Sequence, residues 1–168
     1  MPNAYPSSVT VGVEALTIEE VVAVARYGAT VEISAEALDE VSSTRDRVEQ
    51  LAQDPTPVYG ISTGFGALAR RHIPAEMRAQ LQLSLVRSHA AGTGPEVEEE
   101  VIRALMLLRL STLCTGRTGV RPVVVETYAK ALNAGIVPVV REYGSLGCSG
   151  DLAPLAHCAL ALLGEGEV

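Results

Sequence analysis

Tryptophan is absent from this sequence, and phenylalanine occurs once, at Phe65. An interior without large rings must be filled by Leu, Val and Ala, whose small side chains let helices approach closely. Cysteine is scarce too. Cys114, Cys148 and Cys158 are widely spaced and read as reduced thiols of a cytoplasmic chain, not as a disulfide frame. Basic residues are outnumbered, 13 Lys and Arg against 20 Asp and Glu, for a formal charge of -7. That excludes a general affinity for nucleic acid or an anionic membrane surface, where basic patches supply the attraction. The apolar runs are too short or too interrupted to span a bilayer. Met1 to Thr10 lack the positive start and apolar centre of a secretion signal.

What is present is 48% apolar residues over 168 positions, enough for one domain with a real core. The patterning predicts an all-α chain of about six helices, spanning 1–168 without an internal repeat or a dividing linker. Val9, Val11 and Val13 alternate in a strand-like lead-in. A first helix starts at Thr17, which forms a capping-box pattern with Glu20, and stops at Gly28, with Ile18, Val21, Val22 and Ala25 as its apolar side. Val31 to Ile33 is a short extended piece, and Ser34 caps a second helix to about Ala52, ended by Pro55 and Pro57. Pro74 opens a third helix that reaches His89 beside the break Ala90 to Gly94. A fourth begins in the acidic stretch Pro95 to Glu100 and ends before Gly116, and a fifth covers Pro122 to Asn133. Ile136 to Val140 is an extended connection, and the last helix runs from Asp151 to Leu163.

The segment Gly144-Ser145-Leu146-Gly147-Cys148-Ser149-Gly150-Asp151 stands apart. It gathers small and hydroxyl residues directly before an apolar helix, with Asp151 placed to cap that helix and Pro154 in its first turn. Such a loop aims at the positive end of a helix and suits a reacting or anionic group, although a glycine-rich turn before a core helix explains the same residues. Val58 to Gly66 is a second glycine-rich stretch, without the spacing of either nucleotide-binding glycine motif. Taken alone, its Tyr59 is a packed aromatic with a satisfied hydroxyl, and His89 a helix-terminal histidine bonding a carbonyl. A nucleophile built from Cys148, Asp151 and His157 is disfavoured, because positions six apart on a helix face different sides. Zinc held by Cys148, His157 and Cys158 fares no better, since neighbours in a helix diverge and no paired cysteine motif completes the set.

Four ordered stretches together resemble the aromatic amino-acid ammonia-lyase family: Tyr59 to Gly66, Val86 to Gly92, Gly119 to Pro122, and Gly144 to His157. The resemblance covers most of the chain and is specific in combination. It implies the helical N-terminal domain of the fumarase/aromatic ammonia-lyase type, from a longer subunit that assembles as a homotetramer with shared active sites. It also implies a protein-derived 4-methylidene-imidazol-5-one formed from Cys148, Ser149 and Gly150, with no metal. The Gly150 nitrogen would attack the Cys148 carbonyl, and loss of water from the ring and from Ser149 would leave an exocyclic methylene. Cys148 stands where alanine is common, a departure that the ring tolerates because only the backbone of that position enters it.

By the same resemblance, Tyr59 and Ser149 are the catalytic residues, with Tyr59 moving the β-proton once the substrate amine has added to the methylene. The pair Ser88-His89 is of the histidine-handling type, so His89 would bind the side chain of L-histidine, released as trans-urocanate and ammonia. Asp151 and Gly147 would support the loop. Alternatives are a tyrosine or phenylalanine ammonia-lyase, an aminomutase that returns the amine to the β-carbon, and a non-catalytic helical assembly fragment.

Overall fold

Thr17 and Glu20 close the anticipated capping box: the Glu20 amide donates to Thr17 Oγ1 at 3.2 Å, and the Thr17 amide donates to the Glu20 carboxylate at 2.7 Å. They fix the start of α1 (Ile18–Tyr27), and Ser34 likewise caps α2 (Ala35–Gln53) by accepting from the Ala37 amide. The computed structural model describes residues 5–148 and 150–168. In chain order it contains β1 (Ser8–Val11), α1, β2 (Thr30–Ile33), α2, a 3-10 turn (Gly66–Leu68), α3 (Ala75–His89), β3 (Thr93–Glu96), α4 (Glu99–Cys114), α5 (Pro122–Asn133), β4 (Arg141–Tyr143) and α6 (Leu152–Leu162). The architecture is predominantly α-helical, with six helices among the described residues. No helix among those residues is long and apolar enough to cross a membrane.

Two small sheets modify the all-α expectation. β1 and β2 pair in parallel with Val9 opposite Val31, both buried, so Val9 and Val11 form the inner face of a two-stranded ribbon that ends before Val13. The open edge of β2 is closed by Asn133: the Val31 amide donates to its Oδ1 at 2.8 Å, and its side-chain amide donates to the Val31 carbonyl at 2.9 Å. β3 and β4 pair antiparallel, Thr93 opposite Tyr143 and Glu96 opposite Arg141, with an irregular register between. Pro95 and Glu96 therefore belong to a strand, and the fourth helix starts four residues later than its acidic front suggested.

The core sits where α4 meets α1, α2, α5 and the first ribbon. α4 contributes Ile102, Met106, Leu107, Leu110, Leu113 and Cys114, all buried. α1 faces it through Ala23 and Val24, whereas Ile18, assigned to the apolar side from periodicity, is 79% exposed. Arg103 ties the ends of two helices together. Its guanidinium donates to the Val24 carbonyl near the end of α1 and to the Leu132 carbonyl near the end of α5, at 3.0 to 3.2 Å. Terminal carbonyls lack helical partners, so a cation there satisfies an acceptor and the helix dipole together.

Candidate functional site

The residues from Gly144 to Asp151 fold around the Asp151 carboxylate. Ser145 Oγ–H donates to Asp151 Oδ2, the Leu146 amide donates to Oδ1 at 3.0 Å, and the Gly147 amide donates to Ser145 Oγ at 3.2 Å. These bonds favour the ionised form and hold the Asp151 carboxyl below its usual range, the Ser145 hydroxyl contributing most. Asp151 occupies the N-cap position of α6, but its side chain makes no capping bond there. This corrects the expected cap, for a physical reason. A capping side chain accepts from the second or third helical amide, and the third position is Pro154, which has no N–H. The carboxylate turns back into the loop instead. Ser149 lies outside the described residues. Cys148 and Gly150, on either side of it, are exposed.

A second segment docks against this loop. After His89 ends α3, the chain passes through Ala90 and Ala91 to Gly92, whose amide donates to His157 Nε2 at 3.0 Å. A methyl group added at Gly144, where φ is 150°, would lie 3.1 Å from the Gly92 Cα and 3.1 Å from the Ala153 Cβ. Two chain segments and α6 thus meet where only glycine allows the approach. The imidazole of His157 is shifted towards its neutral form, first by burial and then by the Arg141 guanidinium. Nearby, Arg87 forks onto Glu165 with contacts of 2.9 and 2.5 Å, joining α3 to the chain beyond α6.

His89 is half-buried. Its Nδ1–H donates to the Leu85 carbonyl at 2.8 Å, and Ser88 Oγ lies 3.0 Å from the same nitrogen. The expected helix-terminal bond to a carbonyl is therefore present. With Nδ1 carrying the proton, Nε2 of the neutral ring is left as an acceptor. Tyr59 is not the packed aromatic expected from its neighbours. It is 62% exposed and meets Phe65 edge-on, ring centres 5.8 Å apart. Its segment is folded on itself by bonds from the amides of Ile61, Ser62 and Thr63 to the Val58 carbonyl. Among the described residues, no hydrogen bond joins Tyr59 to residues 144–151.

The hydrogen bonds bear on the nucleophile weighed from sequence. Asp151 is committed to Ser145 and Leu146, and His157 to Gly92, so they do not act on one another. No group of three metal-capable side chains forms among the described residues. The three thiols also differ. Cys114 and Cys158 are buried and burial pushes them up, to about 11 and about 12, whereas Cys148 is exposed. Gly150 has φ of 83° and open space where a side chain would stand, and Asp151 holds the adjoining bend through the Leu146 amide. In the sequence His157 closes the stretch that resembles the family, and nothing near it marks a structural task. Its bond to a residue 65 positions away left no local signal.

Comparison with known proteins places this geometry. The profile of the family described as "Aromatic amino acid lyase" matches residues 16–168. A histidine ammonia-lyase of Streptomyces griseus is 66% identical over 160 residues, which is 95% of this chain and 31% of that protein. Among solved structures, a tyrosine aminomutase from Streptomyces globisporus superposes with a TM-score of 0.88 at 42% identity, covering 95% of this chain and 30% of the other. A histidine ammonia-lyase from Trypanosoma cruzi gives 0.84 at 39% identity, with the same coverage. The chain thus spans about a third of the length of the relatives it matches. The anchored loop before α6, the segment docked on it and a match across nearly the whole sequence lead to one conclusion: the chain belongs to the aromatic amino acid lyase family.

Proposed function

We propose that this chain is the N-terminal portion of a histidine ammonia-lyase, deaminating L-histidine non-oxidatively to trans-urocanate and ammonia. The observation that carries the reading is the docking of the His89–Gly92 segment on the 144–151 loop at Gly92. That approach, between the chain just after His89 and the start of the loop at Gly144, supports reading His89 as the side-chain selector and residues 148–150 as the electrophile. The relative from Streptomyces griseus, named a histidine ammonia-lyase, supports the substrate. A methylidene-imidazolone made from Cys148, Ser149 and Gly150 would supply an electron-poor alkene, chemistry that ordinary side chains lack.

The chain's own residues then have distinct tasks. Asp151 keeps the loop in shape through Ser145 and Leu146, with Gly147 at its bend. His89 Nε2 accepts a hydrogen bond from the substrate imidazole. Tyr59 Oη takes the β-proton, which requires surroundings that stabilise a phenolate. The remaining substrate contacts come from outside these 168 residues, in a cytoplasmic, soluble homotetramer. The isolated chain is accordingly expected to turn over little substrate, because orientation is lost with the missing contacts.

Peptide mapping across residues 141–163, run beside a urocanate assay on the longer enzyme that carries this chain, tests the reading. Loss of two water molecules from the peptide together with urocanate formation is the expected result. An intact Ser149 hydroxyl in folded, active-length material overturns it. A second reading has its own support in the similarity to a tyrosine aminomutase. Product analysis with histidine and tyrosine separates the two, since a β-amino acid marks a mutase and an alkene with free ammonia marks a lyase.

A further inference from the structure

We propose that His157 is a positioning residue: the lone pair on its Nε2 holds the Gly92 amide and thereby fixes the His89–Gly92 segment against the 144–151 loop. The kinetic part of this inference rests on the function proposed above, whereas the structural part does not.

The segment between α3 and β3 is tethered at both ends but sparsely between them. At its start, the Ala90 amide donates to Val86 and the Ala91 amide to His89. At its end, β3 pairs with β4, and Arg141 donates to the Gly94 carbonyl at 3.2 Å. Gly92 lies between these anchors, and its amide is held by a side chain on α6 at 3.0 Å. The contact is built closely. A Cβ at Gly92 would stand 3.2 Å from His157 Nε2, tighter than a side chain ordinarily sits, and in ordinary contact with the Arg141 carbonyl at 3.6 Å, so the imidazole is fitted to a residue without a side chain.

An amide can only donate, so Nε2 must accept, and the ring proton must sit on Nδ1. The charged groups facing the imidazole are Arg141 of β4 and Glu167 beyond α6, and the Arg87–Glu165 pair joins α3 to that same terminal stretch. Burial and Arg141 favour the neutral ring that the bond requires. α6 begins directly after Asp151, so one helix carries both the anchor of the loop and the clamp on the facing segment.

Three variants at position 157 isolate the acceptor. His157→Phe keeps the ring volume without a lone pair, His157→Gln carries a carbonyl near the Nε2 position, and His157→Asn carries one too short to reach. In the Phe and Asn variants, exchange of the Gly92 amide is expected to quicken about 10-fold or more, while Gln stays near wild type. In the longer enzyme, kcat/KM for histidine is expected to fall about 10- to 100-fold in Phe and Asn and to recover in Gln, as for a misplaced contact. Unchanged Gly92 protection in the Phe variant overturns the proposal. So does an equal kinetic loss in Gln and Phe that tracks melting temperature, because that result assigns packing alone. If the Phe variant does not fold, imidazole nitrogen resonances of wild type decide: the Nδ1–H tautomer supports the clamp and the Nε2–H tautomer overturns it. A wild-type enzyme without the ring and without activity on histidine defeats the proposed function instead, and the exchange experiment still decides the clamp.

Discussion

α4 and α3 are helices of nearly equal length with opposite relations to the core. α4 buries six side chains, while α3 fully buries none and leaves Met77 57% exposed. Their sequences account for this. α4 is apolar on most sides from Ile102 to Leu113, whereas Leu81, Leu83 and Leu85 in α3 are spaced by two, which places neighbours on different sides of a helix. α3 is secured instead by polar ties, Arg87 to Glu165 and Arg78 to the carbonyls of Ala52 and Ile73. The candidate site lies on the α3 side. Stability is thus concentrated away from the residues proposed to carry chemistry, which leaves that side free to be shaped by hydrogen bonds.

The sharpest way to break this contrast is to empty the core. Leu110→Ala is expected to cost about 2–5 kcal/mol in urea unfolding, because a fully buried leucine leaves a cavity. Met77→Ala on α3 should stay within about 0.5 kcal/mol. If the two changes cost the same, the division of the molecule fails. Next in size is Asn133→Ala, which strips the edge of β2 of two hydrogen bonds and should cost about 1–3 kcal/mol, read by the same unfolding experiment. Thr17→Ala removes the capping box of α1 and should cost about 1 kcal/mol, with faster amide exchange confined to the first turn.

The smallest effect concerns pH. The folded pKa of His157 is lowered, so the folded state resists a proton that the unfolded chain accepts near its ordinary value of about 6.5. Stability is fully present above that value, declines as pH falls through it, and levels off below the folded pKa. A series of unfolding curves between about pH 8 and 5 should show this step. The step should be absent in His157→Gln.

Much of the helical frame was legible because its signals are local. Thr17 with Glu20, Ser34 after an extended piece, and Pro122 with Gly135 mark boundaries within a few residues, and α5 falls where these signals put it. The ribbons were not legible in the same way. β3 and β4 are strands because they find each other across 45 residues, and nothing within Thr93–Glu96 announces a partner at Arg141–Tyr143. The loop before α6 was recognisable from composition and family likeness. Residue patterning alone aimed its carboxylate at the helix as a cap, whereas the side chain makes no capping bond, and Pro154 held the clue by removing an amide that a cap would use. Tyr59 shows the limit of reading neighbours: apolar company in sequence did not bury it.

The unequal surroundings of the three cysteines have a practical consequence. Two sulfurs are enclosed and held as thiols, while the third stands open next to Ser149 in sequence. A gentle alkylating reagent applied to the native protein should therefore mark Cys148 alone. That gives a built-in reporter whose labelling rate follows the conformation of the loop without any residue being replaced.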